Sequence, residues 1–472
     1  MDVKNNLTEG PILQSVLAIA LPIILANFLH TAYQLTDTFW VGRLGTSAIA
    51  AVSVSFPLIF LIVSLGGGLS VAGTILVAQY KGRNEQKSVD YIAGQTFLIV
   101  ITVSAVMSCI GYFLAPHLMT LMGAEKDVFV DAVSYMKISF AGMIFMFSFM
   151  VFQSLMRGVG DVKVPLYIIT GSVLLNLLVD PLFIFGYGFI PGLGVSGAAV
   201  ATIITQGIGA VIGISMLLSG KRRIHIHPGD LKPDFPLIKK MFFLGIPASV
   251  EQSTVAFGMN LLIFLVAGFG TLALAAYGIG HRILGFVIIP TLGLSMATSA
   301  LVGQNMGAGK IERAERIVKF TSLASFLILT GLGVAIFFLA PKISAVFIPG
   351  ETETIRVSAL FIRIMALTFG FIGIQKVLSG AFIGSGNTLV SMALSIISLW
   401  ILRFPMAYLL SHRTGLKETG IWISFPVTNI LAAAVAAAWF ARGTWKRKRI
   451  TGEIKLVAEA TNEVIIEEGV NT

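Results

Sequence analysis

Three observations predict an all-α integral membrane protein, with twelve transmembrane helices in two pseudo-symmetric six-helix lobes. Only 12% of the 472 residues are charged and 56% are hydrophobic, with a mean hydropathy of +0.89. Soluble domains carry about 25% charged residues. Apolar stretches of about 20 residues or more, enough to cross a hydrocarbon core of about 30 Å, recur from Ile12 to Phe440. The two halves of the chain also match each other at a nearly constant offset.

The apolar runs and their polar boundaries predict spans at 12–39, 47–80, 88–115, 127–156, 163–186, 194–219, 235–267, 271–306, 315–340, 354–383, 388–411 and 418–442. Pro22, Pro57, Pro247 and Pro290 fall inside spans and are expected to kink or locally open them. The first run is too long for a signal-peptide core and has no small-residue cleavage site, so it reads as a retained helix. The single cysteine, Cys109, lies in an apolar run and excludes a disulfide framework or a cysteine metal cluster.

The net charge of +10 would point to nucleic acid in a soluble protein; here it sits in loops and reports topology instead. Twenty lysines and arginines, from Lys81 to the "WKRKR" cluster, fall in loops on one side, against six on the other. The bias puts both termini in the cytoplasm. The polar stretch "SGKRRIHIHPGDLKPDFPLIKK" divides the chain near its middle. His225 and His227 in it have no acid or cysteine at ligand spacing, so a solvated linker is the preferred reading. The expected organisation is an N-terminal lobe over 1–220, a linker over 221–234, a C-terminal lobe over 235–442 and a tail over 443–472.

The repeat is read from several pairs. Pro22 and Pro247, Gly45-Thr46 and Gly270-Thr271, Gln79 and Gln304, and Gly82 and Gly307 are all separated by 225 positions. "GVGD" echoes "GSGN" at 226, and Pro181 echoes Pro405 at 224. Six helices per half make both halves start on the same side, the arrangement of two lobes around a central midplane site in transporters. Nothing resembles a selectivity filter, a phosphate loop or a nucleophile triad.

The repeat also exposes what is not shared. Asp37 maps to Leu262 and Asp180 to Phe404, so these acids occur in the N-terminal half alone. Both lie toward the same end of their spans, and Asn176 stands one turn before Asp180 on the same face. Tyr33, Gln34, His30 and Asn27 continue a polar stripe down the first span. A carboxylate at the centre of a bilayer costs about 2.5–3.5 kcal/mol on insertion scales. Asp37 could be an interfacial residue capped by Thr36, Thr38 or Arg43; with Asp180 and Asn176 at one level, an ion or proton site is preferred.

Other polar residues rank lower. Glu251 is expected near a helix end, snorkelling or pairing with Lys239 or Lys240. Arg282, Lys376 and Arg403 face either a structural partner or a substrate, as membrane cations do. Gln252 is a candidate cavity residue. The Gly66-Gly67-Gly68 run reads as close helix packing.

"LPIILANFLHTAYQLTDTFWVGRLG", "FQSLMRGVGDVKVP" and "NLLVDPLFIFGYG" resemble the signatures of the multidrug and toxic compound extrusion (MATE) family, in its DinF-type prokaryotic branch. The resemblance covers Ile12 to Phe440. It implies twelve helices in two lobes forming a V, and export of amphipathic, often cationic compounds against inward H⁺ or Na⁺. Asp37 and Asp180 match the coupling carboxylates of that branch, with Asn176 partnering the second and Na⁺ a candidate ligand of all three. Tyr33 falls where the branch has a tyrosine, and Pro22 matches the hinge proline of helix 1. Gln153 stands where an asparagine is expected. A helix-6 hydroxyl is also expected; Ala198 aligns nearest, Ser196 and Thr202 are close, and Thr202 and Gln206 are cavity candidates. The resemblance implies no cofactor, an inner-membrane location, lipid contact, no nucleic acid and a monomer. A lipid or glycan-carrier flippase is the alternative, and a membrane-embedded enzyme, hinted at only by His281 beside Arg282, a distant third.

Overall fold

The structure, a computed structural model, describes residues 7–188, 191–447 and 450; most of the expected tail lies outside them. Regular structure among the described residues is helical. The first half contributes α1 (Ile12–Gly42), α2 (Thr46–Gly82), α3 (Gln86–Leu121), α4 (Lys126–Gly158), α5 (Lys163–Phe185) and α6 (Val195–Ser219). The second half contributes α7 (Phe235–Ala267), α8 (Thr271–Gly307), α9 (Ile311–Phe347), α10 (Thr352–Ala366) and α11 (Phe369–Gly384). It closes with α12 (Thr388–Ile396), a π-helical segment Ile397–Arg403, α13 (Phe404–His412) and α14 (Glu418–Ala441). Ten runs are long and apolar enough to cross a bilayer, with α12 to α13 taken as one, and the bent pair α10–α11 makes an eleventh. The 33 residues of α7 occupy the remaining expected span.

The helices do not break at the prolines. Pro22, Pro57, Pro247 and Pro290 each lie inside a continuous helix, since one missing N–H does not by itself end a helix in a membrane span. The breaks fall elsewhere. Between α10 and α11 the chain bends by 50°, and at the bend both the backbone N–H and the hydroxyl of Thr368 donate to Met365 O, at 3.0 and 3.2 Å. Glycines let α9 come against this elbow: a Cβ on Gly333 would lie 2.2 Å from Ala366 O.

The repeat is visible in backbone conformation. Gly45 and Gly270 open α2 and α8 with φ of 114° and 95°, values that glycine alone adopts at little cost. The turns after α2 and α8 place Asn84 and Gly309 at φ 60° and 72°.

Two compact units are present. One is Leu25–Ser249, in which α4 packs against α2, α3 and α6, and α5 against α6. The other joins the chain up to Ile24 with Val250–Arg449; there α11 packs against α8, α9 and α14, and α13 against α14. The units do not divide at the expected linker. They divide within α1, after Ile24, and within α7, after Ser249, and these points are again 225 positions apart.

Local docking explains the exchange. Ahead of α1, Leu7 is buried, Asn305 donates to its carbonyl at 3.2 Å, and Arg313 donates to the Glu9 and Gly10 carbonyls at 2.9 and 2.8 Å. Ahead of α7, Gln95 Nε2 donates to the Asp230 and Lys232 carbonyls, both at 2.6 Å, and its Oε1 accepts from Asp234 N at 3.0 Å. Tyr91 donates to the Asp234 carboxylate at 3.0 Å. The linker segment 221–234 is therefore fastened to α3 along part of its length. Three hydrogen bonds at about 1 kcal/mol each predict that Gln95→Leu will speed proteolytic cleavage within 221–234 by about tenfold or more. Time courses with a soluble protease check this, and unchanged cleavage would show that the dock is incidental.

Candidate functional site

The buried polar face of α5 is set by four-residue spacing. Ser172, Asn176 and Asp180 succeed one another at i, i+4 and i+8, and all are buried. They face α6, which can approach because its own residues are small. A Cβ on Gly197 would lie 2.2 Å from Phe183 O, and one on Gly209 would lie 3.2 Å from Ser172 Oγ. This closeness seals Asp180 and Asn176 to zero exposure.

Helix α1 brings Tyr33 and Asp37 to the same place, one turn apart. Asn176 Nδ2 donates to Asp180 Oδ1 at 2.6 Å and reaches Asp37 Oδ1 at 3.5 Å. Thr202 donates to Asp37 Oδ2 at 3.1 Å. The Asn176 amide thus links the two carboxyl groups. Tyr33 OH and Thr205 Oγ1 are 2.7 Å apart, and Thr205 also donates to Ala201 O at 3.0 Å. Two acceptors are left over: Asn176 Oδ1 and Asp180 Oδ2 are buried and have no donor among the described residues. No lysine, arginine or histidine forms an ion pair with either acid among the described residues.

Asp37 also forms part of the wall of a cavity of about 510 Å³ inside the Leu25–Ser249 unit. His30, Tyr33, Gln34, Thr202 and Gln206 share that wall. So do residues the sequence reading passed over: Tyr135, Ser139, Met143 and Met146 of α4, and Phe56 and Phe60 of α2. The two phenylalanine rings stack with centroids 6.1 Å apart. The α4 residues recur at three- and four-residue spacing, a signal hidden because the helix is apolar on nearly every side.

The remaining candidates are elsewhere. Asn27 does not line the cavity, and its Nδ2 is buried without a partner among the described residues. Gln153 is half-buried on α4, also away from the wall. Pro22, Gln252 and Arg282 belong to the other unit. Gln252 is exposed, and Arg282 is exposed with its guanidinium 5.5 Å from the Phe347 ring centroid.

Glu251 corrects an expectation. It neither snorkels nor pairs with Lys239 or Lys240, but is 7% exposed and accepts hydrogen bonds from Ser379 (3.1 Å), Ser391 (2.6 Å) and Ser395 (3.2 Å). The reason is the exchange within α7, which carries Glu251 into the unit of α11 and α12 just after Ser249.

The MatE family model matches residues 22–182 and 247–409, once in each half. The chain belongs to the MatE family. It is accordingly a multi-pass membrane transporter and not an enzyme. The probable multidrug resistance protein YoeA of Bacillus subtilis is 28% identical over 458 residues, covering 95% of this chain and 97% of that protein. The FAD transporter of Shewanella oneidensis is 25% identical over 431 residues, covering 91% and 95%. Among solved structures, a MATE in complex with MaL6 superposes with a TM-score of 0.88 at 24% identity, covering 95% of this chain and all of that one. A mutant form of the Vibrio cholerae MATE transporter VcmN gives 0.86 at 22% identity, covering 93% and 99%. These structures share the MatE fold seen here.

Within this MatE chain, Asn176 is the one donor that reaches both acids. Asn176→Leu leaves the buried Asp180 carboxyl and the half-buried Asp37 carboxyl short of it, at a cost of about 1–3 kcal/mol. Thermal unfolding in detergent should show a lowered midpoint, and an unaltered one would remove the amide from the network.

Proposed function

We propose that this protein is a secondary active antiporter that exports amphipathic or cationic compounds, driven by inward H⁺ or Na⁺ acting at Asp37 and Asp180. The observation that carries this reading is the contact of the two acids through Asn176, with Asp37 on a cavity wall and Asp180 sealed behind it. Two carboxylates in contact repel when both are ionised; a proton or small cation between them removes the repulsion. The spare acceptors Asn176 Oδ1 and Asp180 Oδ2 suit such an ion. The names of relatives such as YoeA support drug export, as do the aromatic and methionine residues of the cavity wall.

The sequence of events follows from charge. An ion entering from outside neutralises the pair. Asp37 then loses its reason to hold Thr202 and Asn176, the end of α1 that lines the cavity is freed, and a cationic compound beside Asp37 loses its counter-charge and leaves. Return of the ion to the cytoplasm resets the site. One charge moving through 100 mV supplies about 2.3 kcal/mol, which supports a substrate gradient of roughly fiftyfold. On this reading both termini are cytoplasmic, the membrane is the inner membrane of a prokaryote, and the protein works as a monomer within its lipid.

Asp37→Asn and Asp180→Asn should each abolish ion-driven efflux while the protein still inserts. Efflux from vesicles under an imposed pH gradient, or an imposed Na⁺ gradient, measures this and identifies the ion. Wild-type rates from both variants would overturn the proposal. Ser139→Trp fills the cavity beside α4 and should reduce efflux about tenfold or more without altering insertion; the same vesicles report it.

A further inference from the structure

Arg403 is a cation buried without an anion. It is 8% exposed and ends the π-helical segment Ile397–Arg403, inside the apolar run Thr388–His412. Its Nε donates to Thr428 Oγ1 at 3.0 Å and its Nη2 to Asn429 Oδ1. Asn429 Nδ2 in turn donates to Thr368 Oγ1 at 3.2 Å. The guanidinium lies 4.8 Å from the Phe425 ring centroid. These partners are all neutral, and no carboxylate pairs with Arg403 among the described residues.

A guanidinium has five N–H donors and cannot shed its charge. Two donors are used here. Both hydrogens of Nη1 and one of Nη2 have no acceptor among the described residues, yet Nη1 is not among the atoms sealed from outside. Glu251 is no substitute partner: its own partner Ser395 precedes Arg403 by about two helical turns, roughly 12 Å along the axis. A planar fork of free N–H groups beside a charge is the chemistry that takes an anion. The backbone is consistent with this, since single π-helical turns recur at functional sites.

The repeat gives the position meaning. Pro181 and Pro405 are 224 residues apart, which pairs Phe404 with Asp180 and Asn429 with Thr205. Arg403 thus stands one residue from the counterpart of Asp180, beside the counterpart of the hydroxyl that meets Tyr33. The two halves carry a polar site at corresponding positions of their fifth spans, one acidic and one basic.

The geometry points to an anion site formed by Arg403, Thr428 and Asn429, which binds a small monovalent anion or the carboxylate group of a transported compound. It stands independently of the ion assigned to Asp37. The test uses the full-length protein in neutral detergent, with its unfolding midpoint followed at constant ionic strength as gluconate is replaced by chloride or by benzoate. A saturable rise of a few degrees is expected in the wild type. A rise with chloride alone identifies a free ion, and one with benzoate alone identifies an organic carboxylate. Asn429→Asp places an internal carboxylate against Nη2 and should erase the response; Arg403→Gln should do the same if it folds. A flat or non-saturating wild-type curve overturns the proposal, and so does an Asn429→Asp protein that responds like the wild type.

Discussion

A charged group inside a membrane span has no water to turn to, so its partners must come from the chain itself, and this constraint organises the polar interior here. These buried or half-buried charges are met by hydroxyls and amides. Asp37 and Asp180 have Thr202 and Asn176, Glu251 has three serines, and Arg403 has Thr428 and Asn429. The ion pairs present among the described residues, such as Lys319–Glu315 and Arg356–Glu353, sit near helix ends. Neutral partners hold a charge in place without cancelling it. A charge held in that way still responds to an arriving ion, which an internal salt bridge would not.

Such partners must be brought close, and small residues do this. Between helices in lipid there is little hydrophobic gain, so close packing carries the association. Gly197 and Gly209 bring α6 onto the polar face of α5. Gly66 accepts the Phe147 ring where a Cβ would lie 1.6 Å from it, and Gly68 lies against the backbone at Gly245 and Ser249. The glycine run of α2 is therefore a packing surface, and it leaves the chemistry to α1, α5 and α6.

The exchange of half-helices divides the residues of α1 and α7 between the units. Helices α1 and α7 each begin in one compact unit and end in the other without interruption. Asp37 lies on the portion of α1 that belongs to one unit, and Pro22 on the portion that belongs to the other. Helix α7 is built likewise, with Pro247 and Glu251 on either side of its crossing point. The chain ahead of α1 is held in its own unit by Asn305 and Arg313.

The sequence by itself determined the helices, the repeat and the placing of Asn176 beside Asp180, with Asp37 toward the same end of its span. These depend on which solvent each residue meets and on four-residue spacing, both of which are local. It also placed His30, Tyr33, Gln34, Thr202 and Gln206 in one candidate set, since polar residues are rare enough in lipid to stand out. Only the tertiary structure decided that Tyr135 and Met146 share their cavity, that Glu251 turns to serines 128 to 144 positions away, and that α1 and α7 change units. It also showed that the break falls at Leu367–Thr368 and that the span through Arg403 is continuous but π-helical. Those outcomes depend on which helix faces meet, and that is settled by side-chain packing between segments a hundred or more residues apart.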